Sequence, residues 1–174
     1  MSRHRLLGDA AVRAGHNRDA TSTYEHISQS ETNRARRAFA LLQSGKFEDV
    51  ISMMSNDESQ ANMLMYEADA LVCTDQVSKA LSRIEKILDL EDNRSLTHLV
   101  ARHNLALLLL CLNRLDEAVK ILSELHGLVS SKKRQDIPDS IEEQIHFNYT
   151  LALWKMGKST TACTRNNTMS LTYK

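Results

Sequence analysis

Asn104-Leu105-Ala106-Leu107-Leu108-Leu109-Leu110-Cys111-Leu112-Asn113-Arg114-Leu115-Asp116-Glu117-Ala118 is the stretch whose reading decides the fold. Leu105, Leu108, Leu109 and Leu112 recur at three- and four-residue spacing, the pattern of a helix with one buried stripe. Asn113 then interrupts it, and Leu115, Ala118, Leu122 and Leu125 start a second helical stripe. Ala106 and Ala118 are small where two such helices would cross, and larger side chains there would push the axes apart. Two short amphipathic helices joined by a tight turn cannot bury both faces alone, so copies of the unit are expected on either side.

Copies are present. Upstream, Leu7, Gly8, Ala11, Gly15, Ala20, Tyr24 and Ile27 repeat the frame; then Ala38, Leu41, Gly45, Phe47, Val50 and Met54; then Ala68, Leu71, Asp75, Ala80, Ile84 and Ile87. Downstream, Tyr149, Leu153, Gly157 and Ala162 give a fifth frame, whose second helix runs into Asn166 and Asn167. Taken at the turn residues Gly15, Gly45, Asp75, Asn113 and Gly157, the steps are 30, 30, 38 and 44 residues. This frame resembles the tetratricopeptide repeat, whose period is about 34 residues. The resemblance implies an all-α solenoid of about five helix pairs over 1–174, with units near 1–30, 31–58, 61–91, 96–128 and 140–172. Gly8, Ala20, Ala80, Ala106 and Ala118 are the expected close-packing positions.

Composition agrees with helices. The chain has 174 residues with only 5 glycines and 1 proline, too little punctuation for a sandwich, a barrel or a βαβ series. Lys plus Arg and Asp plus Glu each total 22, which argues against a general nucleic-acid or anionic-membrane binder. No run of 18 apolar residues occurs and the first residues lack a signal-peptide core, so a cytosolic chain, or one peripheral to a membrane, is expected. Cys73, Cys111 and Cys163 read as small core fillers rather than a disulfide framework.

The connections carry their own expectations. Residues 127–140 read as a mobile loop, with Ser140 and Glu143 forming a capping box that starts the next helix near Ile141. Polar breaks are expected at 55–60 and 89–95.

Motifs for chemistry are sparse. Gly157-Lys158-Ser159-Thr160 resembles the end of a phosphate-binding loop, but Ala152 stands where that loop needs glycine and no strand precedes it. Seven histidines include no pair four apart, and no cysteine pair has zinc-finger spacing, so no metal or other cofactor is expected. The histidines read as exposed helix residues. Lys132-Lys133-Arg134 reads as a solvated run, and Met53, Met54, Met63 and Met65 as core. No catalytic constellation has supporting context, so an enzyme is not expected.

Repeat stacks hold peptides, helices or neighbouring subunits, so protein partners are expected, with contact positions at Arg102, His103, His146 and Tyr149. The family's chaperone-tail pocket uses basic and amide side chains, and Asp9 in its asparagine slot disfavours that ligand. A further resemblance lies in residues 104–118 followed by Glu142-Glu143-Gln144-Ile145-His146-Phe147-Asn148-Tyr149-Thr150-Leu151 and by Asn167-Thr168-Met169-Ser170-Leu171. This order is similar to the C-terminal repeats of the subunit-12 family of the transport protein particle (TRAPP) complex. That resemblance implies a structural subunit of a vesicle-tethering, Rab-activating assembly in ER–Golgi traffic and autophagy, with TRAPP subunits as partners and no catalytic residue here. A free-standing peptide-binding adaptor of the cytosol is the alternative.

Overall fold

The computed structural model describes residues 3–25, 31–54, 60–131 and 136–157. Among them are nine helices and no strand: α1 (Arg3–Arg13), α2 (Asn17–Glu25), α3 (Glu31–Gln43), α4 (Phe47–Met53), α5 (Ala61–Cys73), α6 (Val77–Leu90), α7 (Leu96–Cys111), α8 (Leu115–Ser130) and α9 (Asp139–Lys155). They fall into two compact units, Met1–Leu90 with α1–α6 and Glu91–Lys174 with α7–α9. The second helix expected after Gly157, with Ala162, Cys163, Asn166 and Asn167, lies outside the described residues, as do Lys132–Arg134.

The turns explain why the chain breaks where it does. Gly15, Gly45, Asp75, Asn113 and Gly157 all have positive φ, between 59° and 76°. At the first four, the amide one residue later donates back across the helix end: His16 to the Ala11 carbonyl at 2.8 Å, Lys46 to Leu41 at 3.0 Å, Gln76 to Leu71 at 2.7 Å, Arg114 to Leu109 at 2.8 Å. This left-handed C-cap satisfies carbonyls that the helix leaves open and reverses the chain within three residues. Glycine adopts it freely, whereas Asp75 at φ 60° carries a side chain in a region costly to L-residues. Asp75→Gly is therefore expected to stabilise unit 1 by roughly 0.5 kcal/mol, read as a higher urea midpoint.

In unit 1, Ala38, Leu41, Val50, Met63 and Ala70 form one core cluster, with Met53, Met54 and Tyr66 against it. Ala20, Tyr24 and Ala40 form a second, flanked by Ala11 and Val12. The fully buried Ala80, Ile84 and Ile87 give α6 its inward stripe. In unit 2, Leu99, Leu125, Val129, Ile137 and Ile145 tie α7, α8 and α9 together. Ala106 and Ala118 are wholly inaccessible to solvent.

Several expectations are corrected. The capping box does not form: α9 begins at Asp139, two residues early, and its N-cap is Pro138, with no side-chain cap bond. Ile137 is buried in the core cluster and pins the chain's entry, and the Pro138 carbonyl accepts from the Ile141 and Glu142 amides. Ser140 thus lies inside the first turn rather than at the N-cap. Residues 127–130, expected in the loop, belong instead to α8, which continues to Ser130 and buries Val129 on the same stripe as Leu122 and Leu125. Cys73 and Cys111 are exposed rather than core. Each sits two residues before its left-handed turn residue, the position filled elsewhere by Arg13, Gln43 and Lys155.

Candidate functional site

The first helices of unit 1 present a shared register. Counting back from each turn residue, the positions nine, six and three residues earlier fall on one side of the helix. In α1 and α3 these include Asp9, Val12, Arg36 and Phe39, and in α5 Tyr66. With Arg13, Tyr24 and Ala35 they line an open groove of about 450 Å³. Phe39 is 37 % exposed there, and its ring is tilted against that of Tyr66 with centroids 6.2 Å apart. These apolar and aromatic surfaces form the floor.

The groove's charged end is an organised cluster. Asp9 Oδ1 accepts from the Tyr24 hydroxyl at 2.6 Å and lies 3.0 Å from Arg36 Nε. Burial, and then the hydrogen bond to Asp9, raise the Tyr24 phenol above its ordinary value, so it stays a donor at physiological pH. Asp9's charge is thus already matched inside the groove. Arg36 Nη1 is buried without a hydrogen-bond partner among the described residues. At the other end, burial and the neighbouring Asp69 carboxylate raise the Tyr66 phenol.

The residues expected to make contacts lie in unit 2. Arg102 of α7 pairs with Glu124 of α8. His103, expected exposed, is buried, and its Nε2 accepts from Asn148 Nδ2 at 2.9 Å. His146 and Tyr149 come together on His126, the two imidazoles edge to face at 4.6 Å and the phenol ring 4.8 Å away. All four therefore have partners within the unit. On α9, Phe147 and Trp154 are two helical turns apart and 68 % and 64 % exposed. Gly8, Ala20, Ala80, Ala106 and Ala118 are buried. Among the described residues no group of three or more His, Cys, Asp or Glu side chains is placed to hold a metal.

His103, together with His98 on the same helix, is expected to make the stability of unit 2 depend on pH. Burial lowers its proton affinity, so below its ordinary titration range the unfolded chain binds a proton that the folded chain resists. Stability should therefore be present at neutral pH and fall as pH drops through that range. His103→Gln should weaken this dependence, leaving the part that His98 contributes, measured by urea denaturation between roughly pH 7.5 and 5.

Neither a family model nor a curated protein matches the chain. Solved structures do. A variant of the TPR-like repeats of a Podosopora anserina protein described as a kinesin light chain has a TM-score of 0.73 at 15% identity, covering 91% of this chain and 87% of that one. A crystal structure of MamA has a TM-score of 0.66 at 12% identity, covering 92% and 85%. The fold is a tetratricopeptide-like helical repeat. At these identities the likeness speaks for the fold alone. The groove residues of α1, α3 and α5 recur at fixed distances from the turns because each of these helices ends at the same kind of left-handed turn residue.

Proposed function

We propose that the chain is a non-catalytic protein-interaction scaffold whose unit 1 groove holds a segment of a partner protein. The observation that carries this reading is the groove itself: an aromatic floor left open to solvent between an organised Asp9–Tyr24–Arg36 cluster and Tyr66. Apolar side chains held on rigid helices bind a partner at low ordering cost. Stacked repeats commonly present such surfaces. The charged cluster is occupied internally and offers no nucleophile or paired acid and base for chemistry.

A finer reading names the assembly. The order of residues 104–118 and 142–151, similar to the TRAPP subunit-12 family, supports a structural subunit of a TRAPP tethering complex, peripheral to ER–Golgi membranes. In that reading exchange chemistry belongs to other subunits. Among the described residues no helix is long and apolar enough to cross a membrane. The free-standing adaptor is the second reading, favoured by the groove, which is sized for a single peptide segment. Affinity purification of the tagged chain from cytosol, followed by quantitative mass spectrometry, separates them. Several TRAPP subunits in constant ratio support the subunit reading. One unrelated protein, lost on Phe39→Ser, supports the adaptor.

A further inference from the structure

Resting on the groove reading above, we infer that the groove selects a partner segment in which an Asp or Glu side chain lies close to a bulky apolar side chain. The acidic group would sit at the Arg13 end and the apolar group on Phe39 and Tyr66.

Charge complementarity fixes the order. The groove lining contains two cations, Arg13 and Arg36, and one anion, Asp9. Asp9 is bound by Arg36 Nε and by the Tyr24 hydroxyl, which leaves one positive charge in excess. Arg13 is exposed and has no ion-pair partner among the described residues. A guanidinium with free donors favours a carboxylate, and the adjoining apolar floor of Val12, Ala35 and Phe39 lowers the local dielectric and strengthens that contact. At the opposite end, Asp69 lies one turn beyond Tyr66 on α5, six residues before its turn, the register that Asp9 and Phe39 hold on α1 and α3. Partial burial raises its carboxyl, and its carboxylate still acts on the neighbouring Tyr66 phenol. An acidic group there would be repelled, so the carboxylate belongs at the Arg13 end and the apolar side chain at the aromatic end. The groove is open rather than enclosed, and its lining pairs a single excess cation with an apolar floor, which suits one carboxylate side chain beside one apolar side chain.

The test uses the full chain and an array of N-acetylated, C-amidated peptides in a glycine–serine background. Each peptide carries one Asp, Asn or Lys at a short spacing from one Phe or Leu, and the selected sequences are then measured by fluorescence polarisation. The expected result is that Asp peptides bind about tenfold tighter than their Asn counterparts, as one charge-assisted contact supplies. Arg13→Gln should abolish that preference while apolar binding persists, and added salt should weaken only the Asp peptides. Equal binding of Asp and Asn peptides, a preference for Lys, or binding that requires a free C-terminus would each overturn the acidic inference. If Phe39→Ser still abolished binding in those cases, the groove reading beneath it would stand. Absence of binding to every peptide would overturn both.

Discussion

Arg83→Met is expected to destabilise unit 1 by about 3 kcal/mol, the lower end of the range for breaking a buried ion pair. Glu67 on α5 is only 3 % exposed, and its carboxylate oxygen lies 2.9 Å from Arg83 Nε on α6. Removing the arginine leaves a carboxylate in the interior with neither water nor a countercharge. Methionine keeps most of the stem's packing, so the loss reports the charge rather than a cavity. Arg83 itself retains some solvent contact, which keeps the expected value below the full range. The double substitution Glu67→Leu with Arg83→Met should recover most of the loss, because it removes the orphaned charge. Urea midpoints of the wild type, the single and the double variants check this. A single variant as stable as wild type would mean that solvent reaches Glu67.

Gly8→Ala should lower stability by about 1–3 kcal/mol through overpacking, although alanine is the better helix former by roughly 1 kcal/mol. A Cβ at position 8 would stand 2.5 Å from Tyr24 Cε1 and 2.7 Å from Cζ. The ring cannot swing aside cheaply, because it is buried and its hydroxyl is held by Asp9. Displacing it also disturbs the charged end of the groove. Tyr24→Leu should remove the clash, so Gly8→Ala should cost less in the Tyr24→Leu background than in wild type. Thermal melts of the four proteins form the required cycle. Stabilisation by Gly8→Ala alone would show that propensity outweighs the contact at this crossing.

The repeat was legible because its markers are local. Turn residues at Gly15, Gly45, Asp75, Asn113 and Gly157 adopt the left-handed conformation that ends a helix, and small residues such as Ala20, Ala80 and Ala118 are wholly buried. What depended on register between helices was harder to see. Cys73 and Cys111 sit in apolar sequence, yet their slot, held by Arg13 and Gln43 in other units, faces solvent. Ser140 and Glu143 match a capping box, but burial of Ile137 moves the helix start ahead of them.

The groove illustrates the same limit. Asp9 was visible as a charge in a binding slot, but its neutralisation by Arg36, 27 residues away in sequence, required the packing of α1 against its neighbours. Counting back from the turn residues would have grouped Asp9, Val12, Arg36, Phe39 and Tyr66 on one side of the first helices. The chosen Arg102, His103, His146 and Tyr149 fall at other distances from their turns, and each makes contacts inside unit 2.

The most direct test of the scaffold account is site-specific photocrosslinking in cell extract, with the photoreactive side chain placed at Phe39 in the groove and, as a control, at exposed Glu85 on α6. The account predicts one or a few discrete protein adducts from position 39, absent from position 85 and suppressed by Arg13→Gln. Identical adduct patterns from both positions, or none from position 39 while the intact chain still copurifies with a partner, would contradict it.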